Sequence, residues 1–180
     1  MAEVTYNGLT FEPYITRDAI AEQVKRVAAE IRRDIDPGEI PLFLCVLNGA
    51  YIFAADLFRE CGIQNAEIAF IRFKSYEGTS STGKINEVMG LDTDIKGRTV
   101  IIIEDIVDTG LTADHLRRKL LEQQPKRVAM ATLLFKPDSL KAGEAPEYVG
   151  FNIPSKFIIG YGLDLDGLAR NLPDIYVLKS

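Results

Sequence analysis

Residues 100–112 read Val-Ile-Ile-Ile-Glu-Asp-Ile-Val-Asp-Thr-Gly-Leu-Thr, and this run constrains the fold more than any other stretch. Four β-branched residues in succession leave no polar face for water. They predict a strand covered on both sides, as in a parallel sheet. Two adjacent carboxylates, Glu104 and Asp105, follow the expected strand end at Ile103. A third acid, Asp108, leads into Thr109-Gly110-Leu111-Thr112, where a helix is expected to open. The first amides of a helix lack intrahelical acceptors and sit at the positive end of its dipole, so they form an anion site. Gly110 allows the backbone angles and close approach that such a nest needs. Acids beside an anion-binding turn suit a sugar phosphate held with a divalent metal.

The flanking sequence supplies an alternating pattern around this strand. Apolar residues at Ile20, Val24, Val27, Ile31 and Ile35 recur every three or four positions and predict an amphipathic helix over 16–35. Thr16 is its expected N-cap, and Asp36-Pro37-Gly38 its stop. Strands are predicted at 42–47, 66–73, 99–103 and 128–135, and helices at 50–60 and 112–123. Segments 148–153, 157–161 and 175–178 are strand-like, with Gly and Pro punctuation. Small polar residues dominate 75–85, which predicts a mobile loop. The alternation implies an α/β fold in one domain over 1–180, with a mainly parallel twisted sheet flanked by helices. A small lobe appended from the C-terminal third is also expected. Ligands on such sheets bind beyond the carboxyl ends of the strands. Asn48-Gly49, the segment from Glu104 to Thr112, and Lys136 all fall there.

Charge and composition exclude several classes. A net charge of −5, from 21 basic and 26 acidic side chains, offers no footprint for bulk nucleic-acid binding. The apolar runs fall short of the roughly 20 residues of a membrane span, and the N-terminus lacks the pattern of a signal peptide. Cys45 lies in an apolar run and Cys61 just before Gly62, a spacing that suits buried thiols in a reducing cytoplasm. The stretch from Gly78 to Lys84 is close to a nucleotide-binding P-loop, but Ile85 stands where that motif needs Ser or Thr for a metal. The single histidine, His115, falls on the helix after the anion site and is assigned no chemistry.

The segment Glu104-Asp105-Ile106-Val107-Asp108-Thr109-Gly110-Leu111-Thr112 resembles the signature of type I phosphoribosyltransferases. From about Leu42 onward the chain is similar to one branch of them, the hypoxanthine-guanine phosphoribosyltransferases. That resemblance implies the type I phosphoribosyltransferase fold, with a hood lobe built from the terminal segments. It implies transfer of the phosphoribosyl group of phosphoribosyl pyrophosphate to a 6-oxopurine, with Mg²⁺ as cofactor, in purine salvage. It also implies a homodimer or homotetramer in the cytoplasm. Glu104 and Asp105 would hold the ribose hydroxyls and the metal. Asp108 to Thr112 would wrap the 5′-phosphate, with Asp108 as general base toward N7 of the purine. Lys136 would donate to O6, and Phe157 and Ile158 would stack on the base and contact its edge. Asp164, in Gly160-Tyr161-Gly162-Leu163-Asp164, would line the purine side and hold a second Mg²⁺ through the diphosphate. Asn48 and Gly49, in a loop with a cis peptide bond, and Arg170 would bind the diphosphate. Asn48 departs from the lysine common at its place. Ser75 and Tyr76 would open a lid over the reacting centre. Two rivals are a nucleotide-sensing regulator of the same fold and the same reaction with xanthine as the main base.

Overall fold

In a computed structural model of the chain, residues 2–74 and 86–179 are described. The expected lid, with Ser75 and Tyr76, lies outside these residues. The elements run in order β1 (Val4–Tyr6), β2 (Leu9–Ile15), α1 (Arg17–Asp34), β3 (Leu42–Leu47), α2 (Tyr51–Cys61), β4 (Glu67–Lys74) and β5 (Asn86–Met89). They continue through β6 (Thr99–Val107), α3 (Leu111–Leu121), β7 (Arg127–Phe135), β8 (Tyr148–Asn152), β9 (Ile158–Ile159) and β10 (Ile175–Leu178).

The main sheet has the order β5-β4-β3-β6-β7-β8. All its pairings are parallel except that of β5, which runs antiparallel to β4 at one edge. Its central strands are apolar on both faces because helices cover both. Phe43, Cys45, Ile101 and Ile103 pack with Val27 and Ile31 of α1 and with Phe53 and Leu57 of α2. Leu42, Leu44, Val100 and Ile102 pack with Leu116 and Leu120 of α3 on the other side. Thr16 caps α1 as expected, its Oγ1 accepting from the Ala19 amide at 3.2 Å.

The structure corrects the expected strand end at Ile103. β6 runs on to Val107, because Glu104, Ile106 and Val107 still find partners in Thr132, Leu134 and Phe135 of β7. Ile101, Ile103 and Ile106 pack in one cluster, and Val100, Ile102 and Val107 in the other. The two-residue period of the strand therefore shifts phase across Glu104-Asp105. Capping of α3 by Thr112 is not found either. The N-cap is Gly110 at φ 77°, without a side-chain bond, and the helix opens one residue early at Leu111.

A second sheet, antiparallel and ordered β1-β2-β10-β9, forms the hood from both ends of the chain. The expected strand at 157–161 shrinks to Ile158–Ile159, since Gly160 and Tyr161 both take positive φ.

Candidate active site

β6 carries Glu104 and Asp105 into dry surroundings. Burial, reinforced by the Asp105 charge, pushes the Glu104 carboxyl well above the usual carboxylate range. Burial likewise pushes Asp105 up to about 6. The Ile106 amide donates to its Oδ1 at 2.9 Å, and this bond and the Arg170 charge hold the rise in check. By surface exposure Asp105 is only part-buried, yet its carboxylate lies against the Gly49 backbone. A Cβ built on Gly49 would fall 1.7 Å from Asp105 Oδ2, so no other residue fits there without displacing that carboxylate.

Beyond the strand, residues Glu104 and Ile106 to Ala113 line a cavity of about 140 Å³. That size suits a phosphate group rather than a whole ligand. Its turn is backed by a segment that the sequence did not single out. The Thr109 carbonyl accepts from the amides of Lys141 and Ala142 at 2.9 and 3.2 Å. A Cβ on Gly110 would meet the Ala142 carbonyl oxygen at 2.3 Å, so the close packing, as well as the positive φ, demands glycine. A larger cavity of about 710 Å³ lies between α1 and α2, but it contains none of the expected ligand-contacting residues. Size alone does not make a site; convergent donors and acids do.

Lys136 leaves the end of β7, next to β6, and is buried. Its amide donates to the Val107 carbonyl at 3.0 Å, and its Nζ donates to Asp108 Oδ2 at 2.8 Å. The structure thus joins two residues that the sequence holds 28 positions apart.

The diphosphate-loop position follows β3, where the Leu47–Asn48 peptide is cis, as the resemblance implied. A Cβ on Gly162 would fall 2.1 Å from the Gly49 carbonyl oxygen. Backbone from the segment 160–164 therefore rests directly on this loop. Arg170 completes the group: its Nη1 donates to the Gly162 carbonyl at 2.7 Å, and its Nη2 pairs with Asp164 Oδ1 at 2.8 Å. Asp164 also accepts from the Gly167 amide at 2.7 Å.

Phe157 and Ile158 lie on the hood, where Ile158 packs in one cluster with Tyr161 and Leu163. Ile158 is buried in β9, while the Phe157 ring is 46 % exposed and lies 6.1 Å from the Phe11 ring. That exposure leaves an aromatic face free to stack on a planar ligand.

Among the described residues, no three His, Cys, Asp or Glu side chains converge to chelate a metal by themselves. The donor set fits a cation shared with ligand oxygens. Glu104 and Asp105 are adjacent acids disfavoured as anions by their surroundings, and a divalent charge would relieve both.

The sequence profile described as a phosphoribosyl transferase domain matches residues 15–166. Hypoxanthine-guanine phosphoribosyltransferase of Bacillus subtilis (strain 168) is 39% identical over 166 residues, covering 92% of this chain and 91% of the relative. Hypoxanthine-guanine-xanthine phosphoribosyltransferase of Tritrichomonas foetus is 38% identical over 164 residues, covering 91% of this chain and 88% of the relative. The crystal structure of a hypoxanthine-guanine phosphoribosyltransferase from Bacillus anthracis superposes with a TM-score of 0.86 at 39% identity, covering 94% of this chain and 97% of that one. With such identity across nearly its whole length, together with the acidic strand and the phosphate-sized turn that follows it, the chain belongs to the hypoxanthine-guanine phosphoribosyltransferase family.

Proposed function

We propose that this enzyme transfers the 5-phosphoribosyl group from phosphoribosyl pyrophosphate to hypoxanthine or guanine, giving IMP or GMP and diphosphate in purine salvage. The observation that carries this reading is the junction at the end of β6. There the buried acids, the phosphate-sized turn and the Asp108–Lys136 pair meet within one short stretch.

Each group then has a task. The turn from Asp108 to Thr112 receives the 5′-phosphate on its backbone amides, aided by the dipole of α3. Glu104 and Asp105 accept hydrogen bonds from the ribose hydroxyls and fix the sugar ring. As N9 of the purine bonds to C1′ and diphosphate departs, positive charge grows on ribose and base. The carboxylates lie where that charge appears and stabilise it. Asp108 accepts the proton that the purine sheds at N7. Lys136 donates to O6, which selects an oxo group over the amino group of adenine. Phe157 stacks on the base, and Ile158 contacts its edge through backbone groups. Arg170 and the Asn48-Gly49 loop hold the departing diphosphate.

Glu104, Asp105 and Asp164 would hold Mg²⁺ through water and ligand oxygens. The cation, when bound, supplies positive charge to the diphosphate. We also read residues 1–180 as one catalytic domain that assembles into dimers or tetramers and works in the cytoplasm. Among the described residues, no helix is long and apolar enough to cross a membrane.

The test is a parallel assay of hypoxanthine, guanine, xanthine, adenine and uracil with phosphoribosyl pyrophosphate and Mg²⁺. Diphosphate release with the first two supports the reading. A preference for adenine or uracil, or no affinity for the ribose donor, would overturn it.

A further inference from the structure

Tyr161 is buried, yet the proposed reaction gives it no task. Its hydroxyl donates to Asp56 Oδ2 at 2.6 Å, across to α2. Burial first, and then this bond, raise the phenol well above its ordinary range, so it remains a donor. Arg59, one turn along α2, engages the other oxygen of the same carboxylate.

These contacts close a circuit. The Asn48-Gly49 loop runs directly into α2, whose first residue is Tyr51. Asp56, further along α2, binds Tyr161. Tyr161 is followed by Gly162, which rests on the Gly49 carbonyl and so returns to the loop. Gly49 in turn lies against the Asp105 carboxylate. The same turn holds the arginine: the Gly162 amide donates to the Arg170 carbonyl at 2.9 Å, and Arg170 Nη1 bonds the Gly162 carbonyl. Tyr161 is held at φ 48° between two glycines at φ 100°, a conformation that needs outside support. Its amide bond to the Leu172 carbonyl at 2.8 Å supplies one such support, and the hydroxyl supplies the second.

We propose that Asp56 and Tyr161 are positioning residues. Their hydrogen bond locks the Gly160–Gly162 turn onto the diphosphate loop and so sets the affinity for phosphoribosyl pyrophosphate, although the proposed reaction assigns neither residue a ligand contact. This rests on the reading of Asn48, Gly49 and Arg170 as the diphosphate site. A buried tyrosine bonded to an acid is often packing alone. Here one end of the bond adjoins Gly162, and the other lies on α2, the helix into which the Asn48-Gly49 loop runs.

Tyr161→Phe removes the hydroxyl and keeps the ring, so the packing survives. The expected result is a rise of about tenfold in KM for phosphoribosyl pyrophosphate, the scale of one hydrogen bond to a charged acceptor. KM for the purine and kcat should stay within about twofold. Asp56→Ala should match it, the double variant should be no worse than either single one, and Asp56→Asn, which keeps an acceptor oxygen, should restore much of the affinity. Amide hydrogen exchange at residues 48–50 should quicken in Tyr161→Phe, a readout independent of turnover. Unchanged exchange would overturn the proposal, as would equal rises in both KM values or additive losses in the double variant. An inactive parent enzyme would sink the transferase reading while leaving exchange to decide on the coupling.

Discussion

Lys136 Nζ donates to Asp108 Oδ2 at 2.8 Å, tying together the residues that leave two neighbouring parallel strands. The lysine is buried and the aspartate side chain is 45 % exposed, so the pair faces outward from the sheet end through its acid. A purine entering there would exchange this internal bond for two bonds of its own, N7 to the acid and O6 to the ammonium.

Removing the ammonium should therefore weaken 6-oxopurines selectively. Lys136→Ala is expected to cut kcat/KM for hypoxanthine and guanine by about 30- to 100-fold, the value of a charged hydrogen bond. Adenine, which cannot accept at that position, should be little affected. Steady-state assays with all three bases decide the point; a uniform loss across them would contradict the assignment.

Asp108→Ala tests the proton acceptor. Turnover should fall by about 10²–10³-fold with the preferred base, within the range for losing a general base. KM for the ribose donor should change far less, because the proposed 5′-phosphate contacts are backbone amides. Normal turnover would show that N7 gives its proton elsewhere.

Gly49→Ala should abolish high-affinity donor binding. Its new methyl group would lie 1.7 Å from Asp105 Oδ2, so either the carboxylate or the loop must move. Thermal melting and donor titration separate the two outcomes. A near-native melt with binding lost indicates a local shift, whereas retained binding would show that Asp105 has room to spare.

Asn48→Lys adds a cation where family members commonly carry one. KM for phosphoribosyl pyrophosphate should fall several-fold, by about the worth of a partly exposed ion pair. An unchanged KM would mean that this loop acts through its backbone alone.

The acidic pair also predicts a pH dependence of the metal-free protein. Asp105 ionises near 3.8 when unconstrained and at about 6 in the fold. The folded state thus holds this proton more tightly than the unfolded state. Its contribution is fully favourable below about pH 4 and is lost as pH rises through about 6, on the order of 2–3 kcal/mol. Glu104 is shifted in the same direction. Without divalent ions, Glu104→Gln should melt higher than the parent at pH 8 and nearly alike at pH 4; with Mg²⁺ supplied it should lose turnover. A larger gap at pH 4 than at pH 8 would reverse the sign and refute it.

Much of this was legible locally. β3 and β10 occupy the residues their apolar runs foretold, because an unbroken apolar strand has few alternatives to burial. The linear motif at 104–112 was readable because the elements on either side of it are adjacent in sequence. The boundary of β6 was not, since the charges at Glu104 and Asp105 look like an ending while β7 goes on pairing. β2 escaped notice because it carries Pro13 and pairs with β10, about 160 residues away, whereas the Asn7-Gly8 turn that joins it to β1 was a local hairpin signal left unread. Separation in sequence also hid the contacts of Gly162 on Gly49 and of Lys136 on Asp108: residue types announce chemistry, but tertiary neighbours decide what they meet.

The hood is stitched from distant parts of the chain, with Ile15 beside Ile175 and Phe11 beside Leu178. On the ribosome, β2 must wait for about 160 further residues before it gains that companion. The central sheet can assemble first, so a product that stops short of β10 would keep the buried acids and the turn after β6 but leave β2 without its neighbour in the hood.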